Sequence, residues 1–144
     1  MSEKVTGKCL CGAVRFSAAD VPTEASVCHC EMCRRWTGGP MIAVHPKGGV
    51  EIENPAGVTW YRSSDWAERG FCPTCGSTLF YRLIEGGVVI PAAGTLDDQS
   101  RFTGVENHIF IDQKPAYYDF ADTAPRLTAE ETIALFTGGE EKAS

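Results

Sequence analysis

Arg69-Gly70-Phe71-Cys72-Pro73-Thr74-Cys75-Gly76-Ser77 is the stretch on which the fold turns, because a two-cysteine knot closed by glycine reads as half of a metal site. A glycine just past a ligand pair lets the backbone turn tightly and aim its N–H groups at thiolate sulfurs. Working outward, the same punctuation recurs near the start of the chain in Cys9-Leu10-Cys11-Gly12. The third knot, Cys28-His29-Cys30-Glu31-Met32-Cys33, runs on into Arg34-Arg35 and lacks that glycine. The seven cysteines therefore divide as four plus three. Cys9, Cys11, Cys72 and Cys75 would saturate one tetrahedral zinc, a structural staple that contributes roughly 10 kcal/mol or more to folding. Iron suits the same four-sulfur cage, and spacing does not separate the two metals. Cys28, Cys30 and Cys33 would hold a second zinc with one position open, the arrangement of a site that does chemistry.

Between and around the knots the sequence reads as short β segments broken by Gly, Pro and Asn. The clearest runs are Ala13-Val14-Arg15-Phe16, Met41-Ile42-Ala43-Val44, Val58-Thr59-Trp60-Tyr61, Thr78-Leu79-Phe80-Tyr81, Val88-Val89-Ile90 and His108-Ile109-Phe110-Ile111. Two places depart from this pattern. Glu31 to Trp36 lacks proline and fits one helical turn carrying Cys33 back toward Cys28 and Cys30. Thr128-Ala129-Glu130-Glu131 has the form of a capping box ahead of Ile133, Leu135 and Phe136, with Gly138-Gly139 as a stop, a short helix expected to cover one end of the core. The expected fold is mainly β, short antiparallel strands around a zinc-ribbon-like Cys₄ site with a short C-terminal helix. At 144 residues one domain over 1–144 is expected, its core at about 5–120 and its terminal helix at about 128–137.

Composition narrows the function classes. Hydrophobic residues at 43% and charged residues at 22% are ordinary for a globular protein. No apolar run approaches the roughly 20 residues that span a bilayer, and the start MSEKVTGK lacks the apolar core of a secretory signal. A cytoplasmic protein with no membrane partner is expected, and a reducing compartment leaves thiols for metal or redox chemistry. A net charge of −6 with no basic stripe argues against nucleic acid as a partner.

Three thiolates give zinc a formal charge of −1, which blunts its Lewis acidity but leaves it soft enough for a fourth sulfur from a substrate. Coordination keeps that thiol ionised, and the thiolate is the nucleophile. Arg34 and Arg35 follow the ligands directly and could receive the substrate's carboxylates. Against the open site stand His29, His45 and His108 as fourth ligands, and simple free thiols. Trp36, Trp60, Tyr61 and Trp66 could line a groove, although an aromatic in a β-rich domain is usually core.

The motifs around these residues resemble the glutathione-dependent formaldehyde-activating enzyme family, which includes centromere protein V. The match runs through 7–16, 28–38, 69–77 and His108-Ile109-Phe110-Ile111-Asp112. The resemblance implies a β-tent fold with a structural zinc on Cys9, Cys11, Cys72 and Cys75 and a second zinc on Cys28, Cys30 and Cys33. It also implies a carbon–sulfur lyase activity that joins glutathione, or a similar small thiol, to formaldehyde or another small aldehyde. A zinc-binding protein that only holds glutathione or a protein partner is the alternative, and a redox sensor built on the three close thiols is a third. His29 and His108 are candidates for the general acid.

Overall fold

The computed structural model describes residues 3–137. Its strands are β1 (Lys4–Lys8), β2 (Arg15–Ala19), β3 (Glu24–Cys28), β4 (Met41–Ala43), β5 (Val50–Ile52), β6 (Thr59–Arg62), β7 (Ala67–Phe71), β8 (Thr78–Leu83), β9 (Val89–Pro91) and β10 (Gly104–Ile109). Two helices, α1 (Glu31–Thr37) and α2 (Ala129–Phe136), complete the regular structure together with single 3₁₀ turns. The chain is mainly β, in three small sheets, as the short strand runs and frequent breakers imply. Two compact units are formed, one from residues up to Ala25 together with Ile42–Thr103, the other from Ser26–Met41 together with Gly104 onward. Among the described residues no helix is long and apolar enough to cross a membrane.

In the first unit β1-β2-β5 and β6-β7-β8-β9 are antiparallel sheets. Their hairpins explain the outer cysteine knots. Lys8 pairs with Arg15, and the intervening loop is closed by Cys9 N–H donating to the Val14 carbonyl at 3.0 Å. Phe71 pairs with Thr78, and that loop is closed by Cys72 N–H donating to the Ser77 carbonyl at 3.1 Å. Each knot is thus the connection of a two-stranded hairpin. The apolar alternation of these strands supplies the core, where Phe16 meets Phe80 edge to face at 5.0 Å beside buried Val14, Val58, Leu79 and Leu96. Trp60 stacks on Phe80 at 6.0 Å and carries the Arg82 guanidinium 3.7 Å from its ring centre, so this tryptophan is packing.

Strand ends differ from the expectation where turn geometry wins over propensity. Ala13 and Val14 belong to the first knot's loop, and Val14 is buried there although it is not in a strand. Val44 and Val58 flank their strands in the same way, and Val88 precedes its strand but is exposed. Four strands, β1, β3, β5 and β7, were not evident as runs because Lys, Glu and Gly interrupt their apolar residues. The run through His108-Ile109-Phe110-Ile111 stops at Ile109, since Phe110 takes a left-handed backbone with φ 55°.

The second unit carries the sheet β10-β3-β4, with β3 and β4 each running through a unit boundary. The segment after Phe120 returns alongside β10, where His108 N–H donates to the Pro125 carbonyl and Leu127 N–H to the His108 carbonyl, both at 2.8 Å. Helix α2 begins with the capping box read in the sequence, Thr128 and Glu131 satisfying each other's backbone N–H groups. Its expected role of covering one end of the core is corrected. Ile133, Leu135 and Phe136 are exposed, and the buried position is Thr132, whose hydroxyl accepts the Phe110 N–H at 3.1 Å. The helix is pinned by polar bonds, Ala129 N–H to Asp112 Oδ1 among them. The stop at Gly138-Gly139 lies outside the described residues.

Candidate metal centres

Cys9, Cys11, Cys72 and Cys75 come together in the first unit, all four sulfurs within 4.8 Å of one another. A tetrahedron with metal–sulfur bonds of about 2.3 Å has an edge of about 3.8 Å. Cys9 and Cys11 lie 3.7 Å apart and Cys11 and Cys72 3.8 Å apart, so the donor set fits a four-sulfur metal ion. Both loops use the same backbone device. Gly12 and Gly76 adopt φ of 82° and 78°, and each donates its N–H to the carbonyl of the first cysteine of its pair, Cys9 at 3.1 Å and Cys72 at 2.7 Å. The turn then points the next N–H, of Ala13 or Ser77, at the second thiol, Cys11 or Cys75. Val14 N–H reaches Cys9 Sγ at 3.3 Å, and Leu10 N–H reaches the Ser77 hydroxyl at 3.0 Å, tying one loop to the other.

Proton affinities diverge among Cys9, Cys11 and Cys75. Cys75 is drawn down to about 5, first by the Ser77 hydroxyl at 3.1 Å and then by the N–H groups of Cys11 and Ser77. Burial pulls Cys9 upward, yet the Val14 N–H and the thiols of Cys11 and Cys72 carry it below its ordinary value. The Ala13 N–H lowers Cys11, but burial and the other three thiols outweigh it and push it up to about 11. Full ionisation of the set needs a cation among the sulfurs.

Cys28, Cys30 and Cys33 come together in the second unit, again with all sulfurs within 4.8 Å. Cys28 ends β3, Cys30 caps α1 by accepting the Cys33 N–H on its sulfur at 3.4 Å, and Cys33 sits in the first turn. The helix predicted over Glu31 to Trp36 is there, one residue longer. Crowding by the Cys30 thiol, then by Cys33 and by burial, pushes Cys28 far up. This set too fits a soft cation, and among the described residues no fourth Cys, His, Asp or Glu joins it.

The histidines weighed as fourth ligands are otherwise engaged. His29 puts Nδ1 2.8 Å from the Tyr118 hydroxyl and Nε2 2.9 Å from His108 Nδ1. His108 puts Nε2 3.0 and 3.1 Å from the two Asp122 carboxylate oxygens. All four ring nitrogens are committed. Burial, with help from the neighbouring His108, holds His29 down to about 4, so the ring is neutral. His45 is exposed and belongs to the first unit.

The two arginines after the knot have unlike surroundings. Arg35 is exposed and paired with Glu31 at 2.8 Å one helical turn away. Arg34 is half-buried, its Nε buried without a hydrogen-bond partner, and its charge is felt at the Tyr118 phenol, which burial otherwise pushes up. Trp66 and Tyr61 are exposed in the first unit. Tyr118 and Asp122 were not foreseen. They stand 89 and 14 positions from the histidines they bond, and no spacing rule links a tyrosine or an aspartate in a loop to such partners.

A solved structure of a Rhodobacter sphaeroides protein aligns with 84% of the chain and 98% of its own, at 19% identity and a TM-score of 0.49. A Halomonas elongata protein provisionally named a glutathione-dependent formaldehyde-activating enzyme is 27% identical over 125 residues, 78% of each chain. An uncharacterised lyase of Schizosaccharomyces pombe is 35% identical over 132 residues, covering 88% of this chain and 93% of its own. The model of one family, described as glutathione-dependent formaldehyde-activating enzyme, matches residues 4–113, a span that holds every cysteine of the three knots together with His29 and His108. With these matches, the chain belongs to the glutathione-dependent formaldehyde-activating enzyme family.

Proposed function

We propose that this protein is a zinc-dependent carbon–sulfur lyase that joins glutathione, or a similar small thiol, to formaldehyde or another small aldehyde. The observation that carries the reading is the three-thiol set of Cys28, Cys30 and Cys33, which among the described residues finds no fourth protein donor, while His29 between two of its cysteines and His108 bonded to His29 have every ring nitrogen engaged. Zinc held there supplies a soft Lewis acid that keeps an incoming thiol ionised. The four-sulfur set in the first unit is the structural zinc of the same protein, and chemistry belongs to the second.

In the reaction the thiol loses its proton, sulfur bonds to the aldehyde carbon, the carbonyl π pair moves to oxygen, and oxygen takes a proton. No redox change occurs, and the sum of thiol and aldehyde equals the adduct. Cys28, Cys30 and Cys33 fix where the sulfur is received. Arg34, half-buried and with an unpartnered Nε, is the cation suited to a carboxylate of the thiol substrate. A cytoplasmic location is part of this reading, since a reducing compartment keeps the thiols available.

The reaction also runs without a protein, so the test compares rates. Exchange between free formaldehyde and its glutathione adduct is followed by magnetisation-transfer NMR, with metal content measured on the same samples. Wild type is expected to carry two zincs per chain and to accelerate exchange. Cys30→Ser is expected to keep one zinc and return to the background rate; an unchanged rate above background in that variant would falsify the assignment.

A further inference from the structure

We infer that Tyr118, His29, His108 and Asp122 form a proton-transfer chain that takes the proton of the incoming thiol and hands it back to the oxygen of the adduct. The inference deepens the lyase reading and rests on it. Its direction follows from bonding rules applied from the anchored end. The Asp122 carboxylate straddles His108 Nε2 at 3.0 and 3.1 Å, accepts the Ala124 N–H at 2.9 Å and faces Arg126 at 3.5 Å. An ionised carboxylate only accepts, so His108, neutral in the resting chain, carries its one hydrogen on Nε2 and leaves Nδ1 bare. His29 must then donate from Nε2 across 2.9 Å, which leaves its own Nδ1 bare. The remaining link, 2.8 Å long, is the Tyr118 hydroxyl donating to that nitrogen.

Every donor in the resting chain therefore points away from Tyr118, and the tyrosine oxygen keeps only lone pairs for a substrate. It is ready to receive a proton. When a thiol proton moves to the Tyr118 oxygen, the tyrosine's own proton passes to His29 Nδ1, and the Nε2 proton of His29 passes to His108 Nδ1. His29 is neutral before and after, having only exchanged tautomers. The positive charge rests on His108 against Asp122, and the substrate is left as a thiolate. Tyr118 now presents an O–H outward, the donor that the developing alkoxide needs. Reversal of the same three transfers protonates the adduct oxygen and restores the starting state, so the protein neither gains nor loses a proton.

The surroundings suit this use. His29 and His108 are 0% and 1% exposed, and Phe120 stands edge-on to both rings, at 5.7 and 4.9 Å, so solvent does not short-circuit the chain. Tyr118 is the half-buried end. Its ring is held by Lys114, 5.1 Å from the ring centre, with Lys114 also bonded to the Tyr118 carbonyl. Burial pushes its phenol up and nearby Arg34 counters that push. His29, the second link, stands in sequence between two of the three thiols, which ties the chain to the segment that carries them.

The test uses the zinc-loaded full chain. Long-range ¹H–¹⁵N NMR of the wild type is expected to find both histidines as Nε2–H tautomers; a His29 that carries its hydrogen on Nδ1 overturns the direction and with it the inference. In the exchange assay Tyr118→Phe and Asp122→Asn are expected to lower kcat by about 10²-fold or more, the range of positioned proton transfer. KM for glutathione and zinc content should stay within two-fold, roughly, as acid–base loss without binding loss requires. A proton inventory in mixed H₂O and D₂O should bow for the wild type, with several protons in flight, and become straight for Asp122→Asn. Wild-type activity with an equally active Tyr118→Phe overturns the chain alone. A wild type no faster than background overturns the lyase reading, and the chain's role falls with it.

Discussion

In the first unit four sulfurs hang from two hairpin loops of one plan, each with a left-handed glycine after its cysteine pair and backbone N–H groups aimed at the thiols. In the second unit three sulfurs hang from a strand end and the first turn of a helix, where the Cys33 N–H points at Cys30 Sγ. The difference is one of charge balance. A loop that supplies its own N–H groups can close around a cation completely and be finished. The helix start is followed directly by the half-buried cation Arg34, which neither hairpin loop has after its cysteines. The closed site is suited to holding a fold, and the unfinished one to receiving a ligand.

The largest effect that separates the two is expected from matched serine substitutions. Cys72→Ser should abolish folding, because a structural zinc contributes roughly 10 kcal/mol and a domain of this size has only about 5–15 kcal/mol in total. Cys30→Ser should retain its β circular-dichroism signature, lose one zinc and melt at most several degrees lower. Equal stability of the two variants would break the division into a structural and a functional centre.

A smaller effect separates the two arginines beside the open site. Arg34→Met should raise KM for glutathione by about 10- to 100-fold, the worth of a charge-assisted hydrogen bond of about 1.5–3 kcal/mol. Arg35→Met should change KM by less than about three-fold, since Arg35 is 77% exposed and already paired with Glu31, and exposed pairs carry about 0–1 kcal/mol. Titration with a thiol that lacks carboxylates checks the cause: the gap between the variants should close.

How much of this was legible in the sequence depended on the range over which residues act. Gly12 and Gly76 revealed the paired loops because a tight turn is a local requirement, and the capping box at Thr128 was readable for the same reason. The single turn after Cys30 was also local. Strand ends were less legible, since Val14 and Val58 are apolar for the sake of the core and not because they extend. The Tyr118–His29–His108–Asp122 chain could not be read at all. Its histidines stood out as weak candidates for several roles, but the bond between His29 and Tyr118 spans 89 positions and exists only once β3, β10 and the loop after it are in place. The apolar residues of α2 misled for the opposite reason, as an amphipathic pattern does not require that the chain bury it.

The smallest predicted effect tests whether the hairpin plan itself requires glycine. Gly76 has φ 78°, and a β-carbon built there meets nothing within 4 Å, so Gly76→Ala isolates the backbone cost of the left-handed turn from any clash. That cost is about 1–2 kcal/mol, which in a chain of this length lowers Tm by roughly 2–8 °C. Gly76→Asn should fall less, because asparagine tolerates the left-handed region better. Thermal melts of the zinc-loaded variants read the order directly. A melting temperature unchanged by alanine would mean that the four sulfurs and their metal impose the turn, and the glycine would then be a consequence of the closed site and not a condition for it.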